Sequence, residues 1–308
     1  MPNAEYAAAY YQKFGIKTYH DHAFFGQGTS VYIIDMGLTN TEQSLRNVKT
    51  RTVVNLMGQR NTHGSFVASI VGQVGTNGSP TGIAPDAQIF LADVSDAKGS
   101  IYTSTLVKAI QDATELRVDI ISISLGTNVY DKKLEQAVDD AAAKGILVFA
   151  AAGNCGCRTY EFPAACNSAI SVASIDANRR LSPFNTRNDA VAVFAPGQNI
   201  KVPGSSRLSG TSFSVPFVSG LMALELSRRR AIDPESKISR TEAIGFLRQT
   251  LGLSCEQHTY SMDVCAGKLA GGSFESNGDL EKPKWYLIFC IGLFGCFILL
   301  EKMQIIKK

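Results

Sequence analysis

Short apolar, β-rich runs alternate along this chain with stretches of helical period. That alternation constrains the fold more than any other feature. The runs Ser30-Val-Tyr-Ile-Ile-Asp35, Ala87-Gln-Ile-Phe-Leu-Ala-Asp93, Asp119-Ile-Ile-Ser-Ile-Ser-Leu125 and Ile146-Leu-Val-Phe-Ala-Ala-Ala152 are nearly continuous in apolar residues, and two more occupy 168–175 and 190–195. Helical stretches fall between and after them, at 63–74, 103–116, 131–144, 212–228 and 239–250, with a short one at 4–14. A strand apolar on both faces belongs in a parallel sheet covered by helices on both sides. The expected fold class is therefore α/β, a mostly parallel central sheet with helices on both faces. Hydrophobic residues make up 45% of the 308, enough for such a core. Residues 1–266 read as the folded domain and 267–284, rich in Gly, Ser, Asn and charge, as a linker.

In open α/β sheets, ligands sit beyond the carboxyl ends of the strands. Asp35 ends the first strand. Asn154 follows a later one, within Ala150-Ala-Ala-Gly-Asn-Cys-Gly156. His63 opens a helix in Asn61-Thr-His-Gly-Ser-Phe-Val-Ala68, and Ser212 opens another in Leu208-Ser-Gly-Thr-Ser-Phe-Ser-Val-Pro216. Singly, each is ordinary: a turn Asp, a loop Asn, a helix-start His, a helix-start Ser. Together they supply what acyl transfer needs. A serine hydroxyl requires a base, an imidazole serves as one near neutral pH, and a carboxylate holds the imidazole's tautomer. Asn154 and the Ser212 backbone N–H offer donors for an oxyanion.

These four segments, in the order Asp, His, Asn, Ser, resemble the signatures of the subtilisin-like serine peptidases. Gly82-Ile-Ala-Pro85, Ser122-Ile-Ser-Leu-Gly126, Phe162-Pro-Ala164 and Ala195-Pro-Gly197 resemble that family's connecting motifs, so the likeness spans about 10–250. It implies a subtilisin-like fold and a serine endopeptidase with Asp35, His63 and Ser212 as catalytic triad. It also implies an oxyanion hole from Asn154 and Ser212. Phe66, Phe213 and Phe217 depart from the family pattern, which usually has His, Met and His there; they bear on packing more than on chemistry. The resemblance further implies that a polypeptide substrate pairs between Gly99-Ser100 and Ser124-Leu125-Gly126. Ala151, Ala152 and Gly153 would wall the pocket for the side chain before the scissile bond, and Glu161 would lie near its floor, favouring Lys or Arg. Such enzymes often bind calcium, and the loop 75–80 falls where one site usually lies, but it offers few carboxylates. No metal is assigned and no cofactor is required. The 34 residues before Asp35 are too few for the family's usual prodomain.

Net charge is +3 and the basic residues are scattered, so nothing calls for nucleic acid. The run Arg228-Arg229-Arg230 reads as a solvated helix end, where cations suit the dipole. Among seven cysteines, Cys255–Cys265 and either Cys155 or Cys157 with Cys166 are possible disulfides. No His stands near them at zinc-ligand spacing. Residues 285–300 carry no charge over 16 positions, with Trp285, Tyr286 and Lys284 at one end and Lys302 beyond the other. Residues 285–301 thus read as a single-pass membrane anchor and 302–308 as a short basic tail. The N-terminus lacks the pattern of a signal peptide. The catalytic domain would then face the cytosol, whereas the cysteines and the sequon Asn77-Gly78-Ser79 favour a surface-exposed one. Two other functions compete: a catalytically silent fold serving as a membrane-anchored binding module, and a peptidase that cleaves only its own precursor.

Overall fold

A computed structural model of the chain describes residues 11–37, 45, 47–51, 62–74, 82–96, 99–202 and 207–251. Seven parallel strands form one sheet: β1 (Ser30–Asp35), β2 (Val48–Arg51), β3 (Gln88–Asp93), β4 (Ile120–Ile123), β5 (Leu147–Ala151), β6 (Ile170–Ile175) and β7 (Val191–Pro196), in the order β2-β3-β1-β4-β5-β6-β7. A two-residue hairpin, β8 (Ile200–Lys201) with β9 (Arg207–Leu208), stands apart. The helices are α1 (Ile16–Asp21), α2 (His63–Gly72), α3 (Thr103–Glu115), α4 (Lys132–Ala143), α5 (Thr211–Arg230) and α6 (Arg240–Leu251).

The strand residues divide between two cores. Val31 and Ile33 of β1 join the layer of α2, α5 and α6, and Tyr32 and Ile34 join the layer of α3 and α4. The same alternation recurs in β5, where Leu147, Phe149 and Ala151 face one side and Val148 and Ala150 the other. This is why the strands read as unbroken apolar runs. The chain leaves β1 in one direction along the sheet, towards β3 and β2, and returns on its other side as β4. Asp35, the last residue of β1, therefore stands at the switch point where such folds place their ligands.

Helix α5 is buried almost all round and runs through the larger core. It contains Pro216, which has no N–H to give to the carbonyl of Ser212 one turn back. That carbonyl accepts instead from Ser124 Oγ at 2.8 Å. A side chain just past β4 thus replaces the missing helical bond and ties α5 to the sheet.

Several sequence expectations change. Residues 4–10 of the short N-terminal helix lie outside the described residues, and the turn at 14–15 leads into α1. Strand β2 and the hairpin β8–β9 are additions: β2 is partly solvated and the hairpin strands are only two residues long, so neither makes an apolar run. The arginine run is not merely solvated. Arg228 and Arg229 both clamp the buried Glu225 carboxylate, which also accepts from Tyr19 Oη, and Arg230 pairs with Asp119. Burial raises the Glu225 pKa, but its hydrogen bonds from the two arginines and Tyr19 outweigh that and hold it low. The cysteine pairing differs too: Cys155 bonds Cys157, and Cys166 is a buried thiol. The pairing 155–166 or 157–166 is not formed, because the Cys-Gly-Cys turn holds its two sulfurs within bonding distance of each other. Cys255, Cys265, the linker 267–284, the apolar run 285–301 and the tail 302–308 lie outside the described residues. Among the described residues no helix is long and apolar enough to cross a membrane.

The start of α2 touches the end of β1 through Gly64. Its N–H donates to Met36 O at 3.0 Å, and an added Cβ would lie 2.4 Å from Gly37 O and 2.7 Å from Met36 O. Both atoms are backbone and cannot swing away. Gly64→Ala should therefore cost about 3 kcal/mol, the upper end of the overpacking range, read by urea unfolding; an unchanged midpoint would contradict this packing.

Candidate active site

Asp35 is fully buried, and its Oδ1 accepts from His63 Nδ1 at 2.6 Å and from Met36 N at 2.7 Å. The first contact exists because α2 begins at His63 against the end of β1, the approach that Gly64 permits. A carboxylate can only accept, so His63 carries its proton on Nδ1 and presents Nε2 as the basic nitrogen. Burial lowers the His63 pKa, but the charge of Asp35 and its hydrogen bond overcome that, and the net shift is upward. The side chain of His63 is 15% exposed, so the imidazole is reached from one side.

Ser212 is the second residue of α5. Gly210 precedes the helix at φ 155°, a backbone region that glycine tolerates, and its N–H donates to Gly197 O at 2.8 Å. Early in the helix, the Ser212 N–H has no carbonyl one turn back and is one of the orphan donors. Phe213 brings this end of α5 beside the base, its ring centroid 5.5 Å from that of His63. The Ser212 hydroxyl donates to Ser124 O at 3.3 Å rather than to His63. Nucleophile–base hydrogen bonds are often loose without substrate and tighten when it binds. Ser124 and Ser212 thus exchange bonds, each hydroxyl giving to the other's carbonyl.

The amide of Asn154 is oriented by Thr211. Asn154 Oδ1 accepts from Thr211 N at 2.8 Å and from Thr211 Oγ1 at 3.0 Å. A backbone N–H can only donate, so this end of the amide must be the oxygen. The Nδ2 end is then turned away from Thr211, as an oxyanion donor requires. Thr211 Oγ1 also accepts from Gly153 N at 3.2 Å, which locks the loop after β5 onto the start of α5. Thr211 was not singled out by sequence reasoning. It lies beside Ser212 in its motif, but nothing in the sequence pairs it with Asn154.

The other residues that the resemblance implies for substrate binding are held by local contacts. Gly99 takes φ 77°, and Ser100 is held by Asp96, whose Oδ1 accepts from Ser100 N at 2.8 Å. Ser124, Leu125 and Gly126 follow β4, and Thr127 bridges Phe162 with reciprocal backbone bonds of 2.9 and 2.7 Å. That bridge sets Glu161 beside Gly126, where a Cβ on Gly126 would lie 3.1 Å from Glu161 Oε2. From the other side, a Cβ on Gly153 would meet Glu161 Cγ at 2.6 Å. The absence of side chains at these two glycines makes the space for the Glu161 carboxylate; Ala151 and Ala152 are both buried. Burial pushes the Glu161 pKa up to about 7, and no cation among the described residues pairs with it. Phe66 is partly buried against the larger core, and Phe217 packs edge-on to Phe14 at 5.6 Å, so two of the unusual phenylalanines are packing residues while Phe213 adjoins His63. Among the described residues no group of three His, Cys, Asp or Glu side chains could hold a metal ion, and the loop 75–80 lies outside them.

A parallel sheet with a buried acid at its switch point, a base on the next helix and a serine at the start of a buried one defines a class. The chain belongs to the Subtilase family, whose model matches residues 26–259. It is a subtilisin-like serine endopeptidase. It is 34% identical over 248 residues to the Major intracellular serine protease of Bacillus subtilis (strain 168), covering 74% of this chain and 77% of that protein. It is also 34% identical to Subtilisin DY of Bacillus licheniformis over 214 residues, 66% of this chain and 78% of that one. Among solved structures, a mutant of the protease domain of PatA is similar with TM-score 0.66 and 27% identity, covering 76% of this chain and 90% of that one. The Prenylagaramide maturation protease PagA is similar with TM-score 0.64 and 28% identity, covering 72% and 84%.

Proposed function

We propose that the chain hydrolyses peptide bonds through an acyl-enzyme formed on Ser212, with His63 as general base and then general acid, Asp35 as its orienting carboxylate, and Asn154 with the Ser212 N–H as oxyanion donors. The observation that carries this is the 2.6 Å bond from His63 Nδ1 to the buried Asp35. Ser212 attacks the scissile carbonyl as His63 Nε2 takes its proton. Asp35 stabilises the imidazolium without itself being protonated. The negative oxygen of the tetrahedral adduct receives the Asn154 amide and the Ser212 N–H, and the positive end of the α5 dipole adds to them. His63 then protonates the leaving amine, and water repeats the sequence to free Ser212. Labelling by a fluorophosphonate probe tests this: the wild type should label and Ser212→Ala should not. A folded wild type that fails to label would support the silent binding module.

In the same reading, the substrate backbone adds as a strand between 99–100 and 124–126. The side chain before the scissile bond enters between Gly126 and Gly153 and meets Glu161. A half-buried carboxylate with no cation of its own favours a substrate Arg or Lys, whose charge restores the ionised form. The apolar, charge-free run within 285–301 would hold the peptidase at a membrane, as a single-pass anchor.

The pH profile follows from these two groups. His63 must be neutral to act as base, so kcat/KM for any substrate falls as pH drops through its raised pKa, above the ordinary 6.5. Glu161 must be charged to attract Arg, so kcat/KM for Arg substrates rises further as pH passes about 7, and substrates with Leu at that position lack this limb. Glu161→Gln should cut the Arg-over-Leu preference by at least about 30-fold, the equivalent of about 2 kcal/mol for a lost buried charge pair. Profiling of Arg and Leu peptides checks this; a Leu preference in the wild type would overturn the role of Glu161.

A further inference from the structure

We propose that the Cys155–Cys157 bridge is a positioning element for Asn154, and that thiol–disulfide exchange at the bridge sets the turnover of the peptidase. This rests on the reading of Asn154 as an oxyanion donor. The bridge spans one residue, Gly156. Disulfides stabilise a fold through the loop they close, and more so for longer loops, so one this short contributes little to global stability. Its effect is local, and the residue that immediately precedes it is Asn154.

Asn154 is held from two sides. On one, Thr211 at the start of α5 fixes its Oδ1. On the other, the bridged turn is stitched to 184–187. Gly156 N donates to Phe184 O at 2.8 Å, Arg187 N to Cys157 O at 2.9 Å, Cys155 N to Thr186 Oγ1 at 3.4 Å and Thr186 N to Gly153 O at 3.0 Å. Gly156 itself is in the left-handed region at φ 63°. The covalent ring keeps closed the turn that immediately follows Asn154. Opening it returns to Gly156 the largest conformational freedom of any residue, one position from Cys155. The anchor that the bridged turn gives Asn154 is thereby loosened, while the Thr211 anchor remains. The bridge is also reachable. Cys155 and Cys157 are exposed, whereas Cys166 is buried, and burial pushes its pKa up to about 12. Exposed disulfides are the reducible ones.

The exchange balances with a thiol as reductant. A thiolate RS⁻ attacks one sulfur of the bridge, the S–S bond breaks, and a mixed disulfide forms with release of the other cysteine as thiolate. A second RS⁻ attacks the mixed disulfide and leaves as RSSR, so two electrons have passed to the bridge and both cysteines are reduced. Oxidised and reduced dithiothreitol serve as the probe couple, with the state of Cys155 and Cys157 read by alkylation and mass spectrometry of the full chain. Reduction should lower kcat about 10-fold, part of the 10²–10³-fold loss that removal of an oxyanion donor brings, and leave KM within about twofold. The double variant Cys155→Ser/Cys157→Ser should show the reduced-state kcat in both buffers, and Asn154→Ala should be indifferent to the couple. A reduced wild type with undiminished kcat, a loss carried by KM, or a double variant that still responds overturns the proposal. Asn154→Ala with full kcat removes the oxyanion reading itself. A normal loss in Asn154→Ala, with wild type indifferent to thiol, removes only the role of the bridge.

Discussion

The hydrogen bond between His63 and Asp35 is the interaction on which the rest of the site depends. It joins two residues 28 positions apart, and each is placed by the fold. Asp35 is buried because β1 lies in the interior of the sheet, at its switch point. His63 reaches it because α2 begins where Gly64 lets backbone meet backbone. A buried carboxylate is costly unless its charge is used. Here two donors, His63 Nδ1 and Met36 N, share one oxygen. The fold thus keeps the His63 imidazole above its ordinary pKa against the opposing effect of its own burial.

Ser212 and Asn154 are held by a second set of constraints, centred on the first turn of α5. Pro216 releases the Ser212 carbonyl, Ser124 takes it up, and the sheet and helix are fixed relative to each other at Ser212. One residue earlier, Thr211 does the same for Asn154. The first turn of α5 therefore carries the Ser212 hydroxyl and its N–H while anchoring the Asn154 amide. A third device is absence: Gly126 and Gly153 leave the room that Glu161 fills.

Much of this was legible in the sequence, for a physical reason. Strands buried on both faces must be apolar throughout, so β1, β3, β4, β5, β6 and β7 announce themselves, and the helices between them keep their period. Strand β2 does not, because half-solvated residues such as Lys49 and Thr50 carry no such signal. The positions of Asp35, His63, Asn154 and Ser212 follow from strand ends and helix starts, which local sequence encodes. The pairings that orient them do not. Thr211 with Asn154 and Ser124 with Ser212 are contacts across 57 and 88 residues, and no spacing rule reaches that far. The same limit explains the cysteines. Parity and spacing left the partner of Cys166 open, and only the folded turn shows Cys155 closing on Cys157. Arg228 and Arg229 read as surface charge because spacing on the helix pairs them with Glu225 without showing that Glu225 is buried, and the partner of Arg230, Asp119, lies 111 residues away.

The central claim is that Asp35 governs the charge and orientation of His63. Titration of the His63 ring by nitrogen-15 NMR in wild type and Asp35→Asn measures this directly, with the resonance assigned by its loss in a His63 variant. In the wild type the ring should titrate above 6.5. In Asp35→Asn the attraction that raises the pKa is gone while burial remains, so the midpoint should fall below the wild-type value. An unchanged or higher midpoint in Asp35→Asn would contradict the account.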